Sequence, residues 1–450
     1  WINEHILTYD RKFGENHSLK GLALFSLNKY ASHANGFSSK LVPNESLGIK
    51  GLDEGVPFDP VSNDSESTLC SYATRWDYSY KSKYILSGTF RADGSSKFSP
   101  KNKWGYFPGL AVAWNMEQEP FFKDALPFIS NSKIRFSYGT NGNNRVGDFT
   151  RFASLTQALS GYSYNNQTPT GSVYISQMAN DDLKWEKTTK LDIGYELGLF
   201  DKRISLEVDL YRNTTTDLLL KAPLPPTTGF TSSVKNIGSL KNEGLEITLN
   251  TVNVQTRSFR WTSNFNISFN KNKIIDLTRG QQILTYVPKY ESQYSTPLYL
   301  SEIGRPTGMM YAYVWDGNYQ YDDFDNPVPG VYILKKSITT NGDARESIQP
   351  GDIKYKDLNG DLVVNTYDKT VIGRGQPIHI GGFLNNLVYK QFSMNIFLQW
   401  SYGNNIYNAN RLMFEGNSNS RINMNQFASY VDRWTPENQD SRNFRSGGEG

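Results

Sequence analysis

The chain is poor in the residues that build most catalytic and metal sites. It has one cysteine, Cys70, which excludes a disulfide framework and a cysteine-based zinc site. Its four histidines, His5, His17, His33 and His379, are scattered and make no clustered metal centre. No stretch approaches the ~18 consecutive apolar residues of a membrane helix, which excludes a helical membrane protein. Charge of one sign is lacking too: 47 basic residues face 44 acidic ones, a net of +3, with no long basic run. Nothing therefore points to nucleic acid. The chain opens at Trp1 without a basic-then-apolar leader. Either a signal peptide has been removed or the true start lies upstream.

Aromatic residues are abundant. Tyr 28, Phe 25 and Trp 9 make up 14% of the chain, far too many for a disordered polymer, although hydrophobic residues are only 38% and mean hydropathy is -0.56. Their arrangement is informative. Period-two alternation dominates. In 203–213, Ile204, Leu206, Val208 and Leu210 share one face, and Arg203, Ser205, Glu207 and Asp209 share the other. The same pattern sets Leu191, Ile193, Tyr195 and Leu197 against Lys190, Asp192 and Glu196, and Phe265, Ile267 and Phe269 against Asn264 and Asn266. Twelve strands are predicted: 5–12, 17–28, 68–79, 84–92, 104–114, 133–139, 187–199, 203–213, 243–252, 259–270, 379–389 and 392–402.

Alternation alone also fits a soluble β-sandwich, with one wet and one dry face. Two features favour an all-β transmembrane antiparallel barrel. Many strands exceed the ~5–6 residues usual in soluble sheets and suit the ~9–11 residues of a tilted membrane strand. Short and long connections also alternate almost throughout, as short periplasmic turns and long extracellular loops do. Trp76, Tyr78, Tyr84, Trp104, Tyr106, Trp114, Trp400 and Tyr402 lie near strand ends and suit two interfacial girdles. Residues 1–450 read as part of a single outer-membrane barrel domain, with 271–378 as a large extracellular loop region that holds structure of its own.

Enzymatic motifs are missing. There is no P-loop, dinucleotide-binding fingerprint, G-x-S-x-G elbow or H-E-x-x-H helix. The acid pairs Asp181-Asp182 and Asp322-Asp323 lie in loops and read as solvated. Lys190, Asp192, Glu196, Glu207 and Asp209 read as the charged wall of a wet lumen. One segment has metal spacing. Asp357, Asn359, Asp361, Val363, Asn365 and Asp368 occupy positions 1, 3, 5, 7, 9 and 12 of a calcium loop, with hard oxygen ligands and a backbone carbonyl at 7. Against calcium, position 6 is Leu362 rather than glycine, and position 12 is an aspartate rather than the longer glutamate. The alternative is an Asx-rich turn that holds no ion. Loop aromatics Tyr162, Tyr164, Tyr174, Tyr311, Tyr313, Trp315 and Tyr319 either stack on sugar faces or pack the loops together.

Six segments in order carry a resemblance: Arg91 to Phe98 (RADGSSKF), Trp104 to Pro108 with Ala113-Trp114, Ile134 to Gly139 with Asn141-Gly142-Asn143, Leu183 to Thr189 (LKWEKTT), Asn236-Ile237-Gly238 with Asn242 to Glu246, and Gly351 to Asp361 (GDIKYKDLNGD). Together they resemble the SusC/RagA family of TonB-dependent outer-membrane transporters of Bacteroidetes-type bacteria. The resemblance implies a plugged barrel of 22 strands, of which about twelve are here. The family's N-terminal plug, its TonB-contacting segment and the closing strands have no counterpart in this sequence, so it reads as an internal fragment. Closure of the twelve strands alone would require the neighbourhoods of Thr8 and Met394 to pair. The resemblance further implies no enzyme and no required cofactor, uptake of oligosaccharides or peptides driven by TonB, a surrounding of membrane lipid, and a SusD-like surface lipoprotein as lid. The two rivals are a TonB-dependent receptor for a metal chelate and a soluble glycan-binding β-sandwich.

Overall fold

The computed structural model describes residues 1–162, 170–277, 283–286, 297–415 and 425–446. The chain falls into two compact units, residues 1–282 with 380–400, and residues 283–379 with 401–450.

The first unit is built on one antiparallel sheet. Its strands are β1 (Ile2–Phe13), β2 (His17–Lys40), β3 (Val56–Tyr80), β4 (Tyr84–Ser95), β5 (Trp104–Asn115), β6 (Ile129–Asn143), β7 (Glu186–Leu199), β8 (Ile204–Thr216), β9 (Ser239–Gln255), β10 (Phe259–Asp276), β11 (His379–Tyr389) and β12 (Phe392–Tyr402). They lie side by side in chain order. All twelve predicted strands are present. A sandwich would divide them into two face-packed sheets; here every one belongs to a single meander. The sheet is open. β1 and β12 form its two edges, and the Thr8 and Met394 neighbourhoods do not pair.

Register shows why the sheet needs lipid on one side. Tyr78, Leu86, Val112, Phe136, Ile193, Leu210, Leu245 and Phe269 are mutual partners across eight consecutive strands. All but Leu245 are large hydrophobics 36–53% exposed. An apolar row of that length is not left in water by a folded soluble protein. One residue along, the partners are Ser79, Ile85, Ala113, Arg135, Gly194, Asp209, Glu246 and Ser268. Side chains alternate strictly, so this mostly polar row faces the lumen.

Aromatic pairs bound the apolar band. Near the short turns, Tyr84 stacks between Tyr80 and Trp114, with centroids 6.5 and 6.3 Å away. Towards the long loops, Tyr72 contacts Phe25 at 5.2 Å and Trp104 at 6.0 Å. From Trp104 to Trp114 is roughly 33 Å along β5, which a ~40° tilt reduces to the ~25 Å height of a membrane barrel's apolar band. Trp76 lies inside the band and not in a girdle, since it aligns through Gly88 with Leu110, between Trp104 and Trp114; its ring covers Gly21 of the neighbouring strand, where a Cβ would lie 2.6 Å from Cζ3.

The connection expected over 29–67 is mostly strand. β2 and β3 pair onward from Asn28–Leu69 to Lys40–Val56, with a register shift near Gly36. This extension carries polar residues on both faces, so no alternation announces it; beyond the bilayer, water satisfies both faces and only the backbone ladder is required. Smaller hairpins also form inside expected loops, at Ser154–Tyr162 with Thr170–Gln177 and at Leu219–Pro223 with Ser232–Asn236.

The facing assignment predicts an asymmetry. Phe136→Arg, in the middle of the apolar row, should lower unfolding free energy in lipid by ~2–4 kcal/mol. Ser137→Arg, its neighbour at the same depth but facing Asp192 across the lumen wall, should fold with heat-modifiable migration unchanged. The reverse order of damage would overturn the assignment.

Candidate functional site

The lumen wall is held by one arginine. Arg135 of β6 donates from Nη2 to Glu207 Oε1 and Asp209 Oδ1, both at 2.6 Å, and its Nη1 lies 3.5 Å from Glu196 Oε1. Glu207 and Asp209 are on β8, so the side chain must cross β7. It does so over Gly194. A Cβ there would stand 2.1 Å from Arg135 Nε and 2.6 Å from Asp209 Oδ1. Lys133 Nζ adds a second cation 3.4 Å from Glu196. The acids of the expected charged cluster thus obtain their counter-charge largely from β6. The alternation of Ile134, Phe136 and Tyr138 already turns Arg135 inward, but the sequence does not say which strand lies two places away.

Beside this junction is a concavity of about 570 Å³ lined by Ser137, Lys190, Asp192, Tyr211, Asn242 and Glu246, among others. All lie on the lumen-facing parity of β6 to β9. Amide and hydroxyl pairs continue the polar wall: Asn264 Nδ2 donates to Asn250 Oδ1 at 2.6 Å, Asn272 Nδ2 to Asn242 Oδ1 at 2.8 Å, and Ser268 Oγ to Glu246 Oε1 at 3.3 Å. The surface offers paired donors and acceptors over a wide area. It has no activated nucleophile and suits a hydrated path more than bond chemistry.

The recognisable sequence segments lie mostly at the long-loop end of the strands, where they lock loops together. Phe98, Phe107, Leu183 and Trp185 form a buried cluster. Trp185 Nε1 donates to Lys103 O at 3.0 Å, and Ser99 Oγ to Asp181 O at 2.7 Å. Lys184 N donates to Asn236 Oδ1 at 2.9 Å, and Asn236 Nδ2 returns to Lys184 O at 2.8 Å. Lys97 Nζ pairs with Asp148 at 3.1 Å, and Asp148 accepts from Ser65 Oγ of the long hairpin. That hydroxyl, with the Lys97 ammonium, holds the Asp148 carboxyl below the usual range.

The second unit has its own core of Tyr319, Phe324, Leu334 and Ile348. Tyr319 is fully buried, and burial drives its phenol well above the ordinary tyrosine range, so it packs the unit and meets no sugar. Tyr311 and Tyr313 are half-buried, whereas Trp315 and Tyr174 are exposed. Tyr164 and the Tyr162 side chain lie outside the described residues. Gly351, in the left-handed region at φ 90, lies under the Trp434 ring, and Asp352 accepts from Arg445 Nε at 2.6 Å. The GDIKY segment therefore anchors residues near the C-terminus.

In the Asx-rich loop, Asp357 accepts from Gly360 N at 2.6 Å and from Leu362 N at 2.7 Å. Asn359 accepts from Asp361 N, Asp361 from Val363 N, and Asn365 from Tyr367 N. Buried Asp368 accepts from Leu358 N and Asn365 N, both at 2.8 Å. The Asn365 amide first, then those of Leu358 and Asn359, hold its carboxyl below the usual range. Leu362 adopts φ 66, the left-handed geometry a glycine normally supplies. Among the described residues, no three His, Cys, Asp or Glu side chains gather as a metal site.

A test of the lumen junction follows from Gly194. Gly194→Val should push the Arg135 guanidinium off Asp209 and Glu207 and cost about 1–3 kcal/mol of stability. The same substitution should cost little in an Arg135→Ala background, a coupling readable by a double-mutant cycle. Equal costs in both backgrounds would mean that the glycine serves another purpose.

Residues 5–345 match the family model described as TonB dependent receptor-like, beta-barrel. A TonB-dependent receptor of Formosa agariphila is 35% identical over 440 residues, covering 97% of this chain and 41% of its own length. The TonB-dependent receptor SusC of Bacteroides thetaiotaomicron is 30% identical over 378 residues, covering 79% of this chain and 35% of its own. The chain thus spans about two fifths of the length of the curated relatives it matches. In fold it is similar to the solved structure of the RagAB peptide transporter, with a TM-score of 0.76 at 22% identity over 100% of this chain and 46% of that one. With its lipid-facing band and polar lumen wall, the chain belongs to the TonB-dependent receptor family, as part of its outer-membrane β-barrel.

Proposed function

We propose that this chain forms part of a wider barrel that imports oligosaccharides or peptides across the outer membrane, driven by TonB, with a SusD-like surface lipoprotein as lid. The observation that carries the proposal is the pairing of faces on one set of strands: a lipid-facing apolar row backed by a mostly polar wall in which many of the polar groups bond to one another. Such a wall offers exchangeable hydrogen bonds to a polar, hydrated cargo and needs no reacting residue. The similarity to TonB-dependent receptors, SusC among them, supports TonB-driven uptake, and the similarity to a structure described as the RagAB peptide transporter supports peptide as one cargo class. The metal-chelate receptor is the rival within the same fold.

The lid is tested by affinity purification of the full-length transporter from native membranes in mild detergent. A lipoprotein of near-equal abundance should accompany it. Recovery of the transporter alone, again and again, would remove the import-pair reading and favour the chelate receptor.

Calcium at Asp357, Asn359, Asp361, Val363, Asn365 and Asp368 is a second proposal. It is supported by Leu362, which takes the left-handed turn of a calcium loop and gives its N–H to Asp357 despite its side chain. Asp357→Ala should loosen residues 350–372 to hydrogen exchange and leave the strands protected. Elemental analysis of protein purified with calcium should find one ion per chain, lost in the variant. An ion-free wild type would leave the segment as an Asx turn.

A further inference from the structure

A second concavity of about 540 Å³ opens on the lumen-facing side of the first unit, nearer the long loops. Two guanidiniums line it. Arg75 is gripped by Asp77, with Nε 2.8 Å from Oδ2 and Nη2 3.0 Å from Oδ1. Arg91 is held by Asp93 through Nε alone, 2.8 Å from both carboxylate oxygens, while its Nη2 donates to buried Ser71 at 3.1 Å. Each arginine is held by the aspartate two residues on, the next side chain of the same strand face. The two lie on adjacent strands, since Arg75 pairs with Thr89 and Arg91 with Ala73.

In both, Nε is taken up by an aspartate and Nη2 also donates, while Nη1 makes no hydrogen bond among the described residues. Their side chains are 57% and 46% exposed, against 9% for Asp93. An aspartate that fixes the guanidinium plane and leaves its outer edge open makes a pre-oriented fork. We propose that Arg75 and Arg91 form a carboxylate-binding site in the lumen wall, a reading that rests on the importer proposed above and specifies a chemical feature of its cargo.

A planar fork matches a carboxylate in geometry and charge. The two aspartates offset both guanidinium charges, so the preference for a carboxylate rests on the geometry of the open guanidinium edges and not on a net positive field. A neutral sugar is a poorer occupant. Phe107 and Trp185 border the cavity, but each is only 5% exposed and their rings meet edge-on at 5.5 Å, so neither offers a stacking face. The carboxylate belongs to an acidic sugar or to a peptide.

Four probes separate these sources in calorimetric titration of the full-length transporter in detergent at low salt: an oligogalacturonate, its methyl ester, a glutamate-rich peptide and its side-chain amide. One acidic probe should bind about tenfold or more tightly than its neutral counterpart. The identity of that probe names the source. Arg75→Gln, and separately the paired Arg91→Gln/Asp93→Asn, which leaves no lone buried carboxylate, should each remove that preference. Arg91→Lys should not keep it, because a point charge lacks the fork. Heat-modifiable migration confirms that each variant is folded, and the comparison of probes on the parent needs no variant at all. Equal binding of acidic and neutral probes, no binding of any probe, or folded variants that bind like the parent would each overturn the site. Lid recovery is scored on the same preparations, so an intact import pair with indifferent arginines rejects the carboxylate site and leaves the importer standing.

Discussion

The structure depends on one constraint: a strand in hydrocarbon must pair every backbone group with a neighbour and still present opposite chemistry on its two faces. Antiparallel pairing in chain order meets the first demand for every strand between the two edges, β1 and β12. Strict alternation meets the second, and it forbids any slip of register, because a single residue would carry Arg135 and Asp209 to the lipid and Phe136 and Leu210 to the lumen. Bulky outer partners such as Leu86–Val112 and Val112–Phe136 therefore fix the register on which the lumen wall relies.

That wall has a packing problem of its own. Long side chains on one strand point at the same height as those on the next, and a fully substituted row would be crowded. The sheet relieves this by removing a Cβ where a neighbour must pass. Gly194 clears the path of Arg135, and Gly244 lies under the Tyr211 ring, where a Cβ would be 2.3 Å from Cζ. A glycine within a strand weakens it locally. Here the loss is offset by a charge-assisted bond that ties three strands, and by a flatter wall whose polar groups bond to one another.

The alternation made the fold legible, because hydrocarbon on one side leaves so little freedom. Ile204 to Leu210 and Phe265 to Phe269 announce their strands and their facing without any knowledge of their neighbours. Residues 29–40 and 56–67 do not, since water on both faces erases the pattern while the ladder persists. The site was legible by half. The inward charges of β7 and β8 could be read from period two, but their partner Arg135 lies more than fifty residues earlier, and only the topology sets it two strands away. The arginines of the second concavity are visible in sequence as two Arg-x-Asp repeats, Arg75-Trp76-Asp77 and Arg91-Ala92-Asp93, a spacing that acquires meaning once both are known to be strands of the same face.

The six recognisable segments deserve a physical account separate from cargo. Phe98, Trp185 and Asn236 come from three different connections, yet they converge on one buried cluster and its hydrogen bonds. Such a cluster is a structural device: it ties the long connections to the ends of the strands, where polar loops have no hydrophobic face of their own to bury. Trp434 over Gly351, with Arg445 on Asp352, does the same within the second unit. These residues therefore report the architecture and carry little information about what passes through it. Cargo must be read instead from the lumen-facing groups, some of them inside those segments: Lys190, Asp192 and Glu246 line one concavity, and Arg75 with Arg91, the first residue of the first segment, lines the other.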